Sequence, residues 1–220
     1  MEKNFTDGSV FKNLALFSLP YLLSYFLQTL YGMADLFIIG GFDGTAATTS
    51  VSVGSQVMHM LTVIIVGLAM GSTVSIGNAV GAGKPKRAVS TLGYAIIISS
   101  VFSVAATVTV QFAANGMVGL FTDDNAVILS GGQYLKGYIW DCFFAGIHFS
   151  CSGYFCAAGK SAFSFLHNLL SIILVRIPGA YITSKLFTTT LLPMGLSSAA
   201  GSLFSIIICA VILAYNARQK

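Results

Sequence analysis

Two carboxylates, Asp35 and Asp141, lie within long runs of apolar residues. An ionisable side chain at the centre of a membrane costs at least about 2.5–3.5 kcal/mol on insertion scales, so such residues are rarely idle. In a hydrated interior between helices, a carboxylate can take up and release a proton, or it can bind a hard cation such as Na⁺ together with amide and carbonyl oxygens. Both residues are therefore predicted to couple to a cation, H⁺ or Na⁺, and no other cofactor is expected.

Helical spacing places further polar side chains near these carboxylates. Gln28 and Tyr31 share a face of the first apolar run with Asp35, and His148 lies two turns after Asp141. The second apolar run carries three more polar residues. A polar face on several helices predicts a hydrated cavity between them. Its predicted lining residues are Gln28, Tyr31, Gln56, His59, Asn78 and His148.

Each of these residues also has a purely structural interpretation. Asp35 lies about five residues from the end of its apolar run and is alternatively a membrane-surface residue. His148 is alternatively a hydrogen-bonded interior histidine, and Arg176 alternatively extends its head group to the membrane surface. Cys142 does not share a helix face with His148 and Cys151, and the sequence has no CxxC pair, so no metal site is predicted.

The composition is that of a membrane protein. The chain has 220 residues, of which 55% are hydrophobic and 8% charged, whereas soluble domains carry about 25% charged residues. Long continuous apolar runs favour helices over the alternating strands of a barrel. We predict an all-α membrane protein with a single transmembrane domain, residues 1–220, and six spans: 14–40, 52–80, 88–112, 130–157, 162–186 and 191–215.

The distribution of charge predicts the orientation. If the N-terminus is cytoplasmic, six spans return the C-terminus to the same side. Most of the eleven basic residues then lie in the cytoplasm, as the positive-inside rule requires. We therefore predict a multi-pass protein of the inner cell membrane with both termini cytoplasmic. The cytoplasmic basic residues are Lys3, Lys12, Lys84, Lys86, Arg87, Lys160, Arg218 and Lys220, and the outer acidic residues are Asp43, Asp123 and Asp124.

Several classes of function find no support in the sequence. It has no Walker A motif, no Ser/His/Asp set and no paired-carboxylate hydrolase motif, so we predict that the chain is not an enzyme. No basic stripe lies on a soluble face, so membrane lipid is an expected partner and nucleic acid is not. The absence of a ring-forming charge motif or a carbonyl filter sequence disfavours a channel.

The first three spans resemble a known family. The segment LALFSLPYLLSYFLQTLYGMADLFIIGGFDGTAA resembles the opening of the multidrug and toxic compound extrusion (MATE) family, whose first helix ends in a similar Asp–x–hydrophobic–Gly pattern. The segment VGLAMGSTVSIGNAVGAGKPKRA resembles the end of that family's second helix and the loop after it. Gly71, Asn78, Gly81 and Gly83 fall on this motif.

The last three spans resemble a different part of the same family. The segment GYIWDCFFAGIHFSCSGYFCAAGKSAFSFLHNLLSIILVRIPGAYI resembles the end of the second lobe, where Arg176–Pro178 is characteristic. Family members have twelve helices in two six-helix lobes, whereas this chain has six. The resemblance therefore implies one MATE-like lobe, built from the start of the first lobe and the end of the second, with a join near residues 112–125.

The resemblance implies secondary active export of drugs or organic cations by antiport. Asp35 matches the first-helix acid implicated in cation coupling, and Asp141 lies in the helix equivalent to the one that carries the second lobe's acid. Cation binding would bend the first helix at Pro20, and the substrate cavity of the family lies between lobes. This half-size unit would then form a homodimer or pair with another half-size or full-length transporter. Residues assigned a structural role are Pro20, Gly71, Gly81, Gly83, Arg176 and Pro178.

Two other functions remain open. The chain is alternatively a non-transporting membrane interaction protein that associates with a full-length transporter and modulates it. It is alternatively a truncated remnant of a full-length transporter.

Overall fold

The apolar runs fold into helices, because helices satisfy every backbone hydrogen bond within one segment in lipid. The computed structural model describes residues 9–42 and 44–218, and only the backbone of residues 17, 21, 25, 42, 44 and 216–218. Seven α-helices and one π-helical turn are present in these ranges. They are α1 (Val10–Phe42), α2 (Gly44–Gly81), α3 (Pro85–Gly119), α4 (Asn125–Ala157), α5 (Ser161–Ser171), the π turn (Ile172–Arg176), α6 (Ile177–Leu186) and α7 (Leu192–Arg218).

The helices extend beyond most of the predicted spans. The largest difference is at α2, which begins at Gly44, whereas the sequence predicts a connection there and a span from Ser52. The small polar residues of this segment bond to their own helix: Thr49 Oγ1 donates to the Thr45 carbonyl and Ser50 Oγ to the Ala46 carbonyl, each at 2.9 Å. This local bonding makes the polar segment compatible with a helix.

Five helical spans of the described residues are long and apolar enough to cross a membrane. They are α1, α2, α3, α7 and the rod formed by α5, the π turn and α6. Helix α4, the remaining predicted span, is less apolar and contacts α2, α3, α5 and α7. A helix enclosed by other helices can carry polar and small residues that lipid would disfavour. The all-α membrane fold is therefore confirmed, with α4 as its central helix.

Close approach between helices depends on glycines of α4 and α7. A Cβ at Gly137 would collide with the Leu192 carbonyl, and one at Gly195 with the Tyr134 carbonyl. Gly71, predicted to have a structural role, lies on the exposed side of α2, and a Cβ there would meet nothing within 4 Å. The tight helix crossing is thus α4 against α7, as small residues permit.

The turns have the expected chemistry. Asp124 caps α4, since its Oδ1 accepts a hydrogen bond from the Ala126 N–H at 2.9 Å. Gly83 follows α2 with a φ of +68°, a conformation that favours glycine. Gly81, also predicted to be structural, is the exposed last residue of α2. The predicted charges at Lys3, Asp43 and Lys220 lie outside the described residues.

Candidate functional site

An ion pair joins two elements inside the bundle. Arg176 Nη2 lies 3.0 Å from Asp141 Oδ1, and the side chains are 11% and 7% exposed. The same nitrogen donates a hydrogen bond to Ser202 Oγ of α7 at 2.5 Å. A buried pair tolerates desolvation only with good geometry and further hydrogen bonds, and Ser202 supplies one of them. Asp141 is therefore held by a partner on a different element.

Asp35 has different surroundings. The residue is 4% exposed, and its Oδ1 has no hydrogen-bond partner among the described residues. The polar groups acting on it are Tyr31, one turn earlier in α1, and the positive charge of Arg176. The Tyr31 hydroxyl lies 2.5 Å from Ser198 Oγ, and the guanidinium carbon of Arg176 lies 5.1 Å from the centre of the Tyr31 ring. Asp35 is thus a buried carboxylate with an unused oxygen.

The π turn positions Arg176. Ile177 N–H donates to the Ile172 carbonyl, five residues back, and Pro178 has no N–H to offer the Leu174 carbonyl. A π turn of this kind inserts an extra residue into a helix and is frequent at functional sites. Arg176, its last residue, extends across α7 at Gly201. A Cβ on Gly201 would collide with Arg176 Cγ and lie 2.8 Å from its Nε.

A stripe of serines on α7 connects three elements, and the sequence predictions miss it. Ser198, Ser202 and Ser205 follow the i, i+4, i+7 spacing that marks one helix face. Ser198 bonds Tyr31 of α1, and Ser202 bonds Arg176 of the π turn. Ser205 Oγ lies 2.6 Å from His167 Nδ1 of α5. All three serines are buried, so α7 presents a polar face to the bundle interior.

His148 belongs to a separate cluster. Its ring centre lies 5.8 Å from that of His167, and both residues are buried. Neither ring nitrogen of His148 has a hydrogen-bond partner among the described residues. No group of three or more His, Cys, Asp or Glu side chains converges on a possible metal position within the described ranges.

A cavity of about 350 Å³ lies between α1, α2, α4 and α5. Gln28, a predicted lining residue, is one of its polar groups, and Ser24 Oγ is buried there without a hydrogen-bond partner among the described residues. Seven residues separate Gln28 from Asp35, which is about 10 Å along a helix. The other described lining residues are Ser18, Val66, Ala69, Met70, Thr73, Val74, Phe149, Ser152, Gly153, Cys156, Ala157, Ser164 and Asn168.

The remaining predicted residues occupy other places. Gln56, His59 and Asn78 lie on exposed faces of α2 and do not line this cavity. Pro20 lies inside α1, which continues through it as an α-helix. The structure therefore brings Asp35, Tyr31, Asp141 and Arg176 together and places Gln28 in the adjoining cavity. The polar residues of α2 that were predicted to line a cavity, Gln56, His59 and Asn78, lie on the outside of the bundle.

A bundle of membrane-length helices with buried charges facing its interior is typical of polytopic membrane proteins with a function inside the membrane. The MatE family model matches residues 20–182. The chain therefore belongs to the MatE family of multidrug efflux transporters, which are transporters rather than enzymes, and it is a multi-pass membrane protein.

Curated relatives agree with this family. The chain is 29% identical over 126 residues to "Probable multidrug resistance protein NorM" of Thermotoga maritima, a match covering 57% of this chain and 27% of that protein. It is 27% identical over 166 residues to human "Multidrug and toxin extrusion protein 1", covering 73% and 28%. The matched regions thus span only part of each relative.

Solved structures share the fold. The Vibrio cholerae MATE transporter VcmN, in a mutant form, gives a TM-score of 0.87 at 17% identity and covers 99% of this chain and 50% of that one. An outward-facing multidrug resistance MATE family transporter gives a TM-score of 0.84 at 17% identity, covering 93% and 46%. The chain spans about half the length of these structures.

Proposed function

We propose that this chain is a half-size, cation-coupled exporter of drugs or organic cations that works by antiport. The observation that carries the proposal is Asp35, a buried carboxylate whose Oδ1 has no hydrogen-bond partner in the part of the chain that the structure describes. Buried carboxylates in membrane helices mark ion pathways. H⁺ or Na⁺ would bind there from the outer side, with both chain termini in the cytoplasm.

The lining of the cavity supports drugs or organic cations as the class of substrate. Its described lining combines apolar side chains with hydroxyl and amide groups and contains no charged side chain. Such a lining suits the apolar body of an amphipathic molecule, and Asp35, about two turns above Gln28, offers a negative charge to a cationic group. Cation and drug would then compete for one carboxylate, which is the basis of antiport.

The chain would complete its transport path with a second copy. The exposed side of α2 carries Gln56 and His59, together with Gly67 and Gly71, beside which a Cβ would meet no atom within 4 Å. Two chains, each about half the length of the solved transporters, would supply two lobes. Rocking of one lobe against the other, with α1 bending at Pro20, would alternate access to the cavity.

The test is dye export from proteoliposomes under an imposed H⁺ or Na⁺ gradient. Asp35→Asn should abolish gradient-driven export, because an amide cannot take up the cation, and the expected loss is at least tenfold. The matched control is Asp123→Asn, since Asp123 is an exposed carboxylate just before α4, and export should be unchanged. Equal export by the two variants would remove Asp35 from the mechanism.

A further inference from the structure

The negative charges of this site outnumber the positive ones. Asp35 and Asp141 contribute two negative charges and Arg176 one positive charge, so the set carries −1 when both carboxylates are ionised. The other titratable groups acting on Arg176 are Tyr31 and Tyr138, and Arg176 in turn acts on His148. Tyrosine hydroxyls and a neutral imidazole add no charge. One monovalent cation therefore neutralises the set, and a second would leave it positive.

The two carboxylates differ in the positive charge available to them. Asp141 has the guanidinium of Arg176, whereas Asp35 is left for a cation that binds from outside the protein. Arg176 donates to Asp141 Oδ1 and to Ser202 Oγ, whereas Asp35 Oδ1 has no partner within the described part of the chain. Buried charges persist when they are paired and hydrogen-bonded. Asp141 already meets this condition, so the carboxylate that requires an external cation is Asp35.

Arg176 contacts α1, the helix that carries Asp35, as well as Asp141. Its guanidinium lies over the ring of Tyr31, the residue one turn from Asp35, and its stem is confined beside Gly201. Arginine keeps its proton in proteins, so its charge is permanent. If Asp141 lost its charge, Asp35 would be the only remaining carboxylate in the set for this guanidinium.

We propose that Arg176 is an internal counter-ion that limits this site to one monovalent cation and directs that cation to Asp35. This inference rests on the proposed cation coupling, and it gives Asp141 a role different from that of Asp35. Asp141 does not bind the transported cation. It holds Arg176 away from Asp35, which makes both residues positioning residues for the carboxylate that does bind it.

The test counts cations bound per chain by the purified 220-residue chain in lipid nanodiscs. ²²Na⁺ binding and H⁺ uptake are measured separately, each relative to the uncharged triple variant D35N/D141N/R176Q. The unsubstituted chain should bind one cation, either Na⁺ or H⁺. D141N should bind none, because Arg176 then neutralises Asp35. D141N/R176Q should again bind one, and R176Q, which has a charge of −2, should bind two.

Two variants, D141N/R176Q and R176K, show whether a change in cation binding reflects misfolding. R176Q leaves Asp141 buried without a partner, which destabilises proteins, whereas D141N/R176Q removes both members of the pair. R176K keeps the charge and should bind one cation. Helical circular dichroism and a single peak in size-exclusion chromatography establish that each variant is folded.

The outcomes separate this inference from the proposed function. If the unsubstituted chain binds one cation and D141N also binds one, Arg176 does not act as the counter-ion and the inference is wrong. The inference is equally wrong if D141N binds none and D141N/R176Q fails to regain the cation. If the unsubstituted chain binds neither Na⁺ nor H⁺ at this site, cation coupling itself is wrong, and the inference is overturned with it.

Discussion

Asp35 and Asp141 are the same kind of side chain in similar helices, yet among the described residues only Asp141 forms an ion pair. Spacing alone predicted that Gln28, Tyr31 and Asp35 share one face of α1. It could not predict the pairing of Asp141 with Arg176, because these residues are 35 positions apart and meet only because the π turn and α4 both pack on α7. Their roles in coupling stay predictions.

At the scale of a single residue, we predict that replacing Gly201 with alanine destabilises the protein. Ala in place of Gly normally stabilises a helix by about 0.5–1 kcal/mol, but a Cβ at this position would lie 3.0 Å or less from the Arg176 side chain. Overpacking costs about 1–3 kcal/mol, so G201A should lower the free energy of unfolding and displace Arg176. Reversible unfolding in mixed micelles measures the change.

Gly93 is the matched control for this prediction. It also lies within a helix, α3, but it is exposed and a Cβ there would meet nothing within 4 Å. G93A should therefore keep or slightly raise the stability of the protein. If G201A proved as stable as G93A, Gly201 would not be the position that makes room for Arg176.

At the scale of elements, hydropathy predicted where the helices lie and missed irregularities within them. The fifth span was predicted as one helix over residues 162–186, and the structure divides it into α5, the π turn and α6. Apolar patterning cannot reveal an extra residue in a turn, because the exposed Ile173 and Leu174 suit lipid in either geometry. Pro178, which has no backbone N–H to donate, is visible in the sequence. Its effect on the hydrogen bonds of the preceding turn depends on neighbouring helices.

Pro178→Ala tests whether the π turn sets the direction of Arg176. Alanine would return an N–H for the Leu174 carbonyl, so the turn could relax to a regular helix. Each residue of an α-helix turns the chain by about 100°, so a change of hydrogen-bond register in this turn would redirect the Arg176 side chain. We expect P178A to bind cations as R176Q does, two per chain, and to lose unfolding free energy, because Asp141 is then buried without its partner. The ²²Na⁺ and H⁺ counts in nanodiscs provide the measurement.

Pro193→Ala is the control for the substitution itself. Pro193 lies in the first turn of α7, where a missing N–H leaves no helical hydrogen bond unmade. P193A should therefore bind one cation, as the unsubstituted chain does. A P178A protein that also bound one cation would show that Pro178 does not control the position of Arg176.

At the scale of the whole molecule, the membrane fold and the family could be predicted from composition and motifs, and both are confirmed. Assembly could not be predicted in the same way. In lipid, helix association depends on close packing rather than on hydrophobicity, so an apolar outer face is compatible with a lipid contact and with a second chain. The proposed homodimer places the second chain against the exposed glycines of α2.

The mass of the purified protein in lipid nanodiscs tests this assembly. Two copies would give a protein mass about twice the 23.1 kDa of the chain. G71L should shift the mass to that of one chain, because the larger side chain keeps a partner helix from approaching. G93L, at an exposed glycine of α3, should leave the dimer intact.

Other masses would have other meanings. A single chain in both the unsubstituted protein and G93L would exclude the homodimer. Co-purification with a twelve-helix transporter, together with no export by the chain alone, would instead favour the non-transporting interaction protein.

The polarity of α4 has a consequence for biosynthesis. During synthesis a helix partitions into lipid from the translocation channel according to its own hydrophobicity, and α4 is the predicted span that is not apolar enough by length and composition. Its contacts lie with α2 and α3, made before it, and with α5 and α7, made after it. We therefore expect the insertion of α4 to depend on its contacts with α2 and α3, and α7 to cover its remaining polar side when α7 is made.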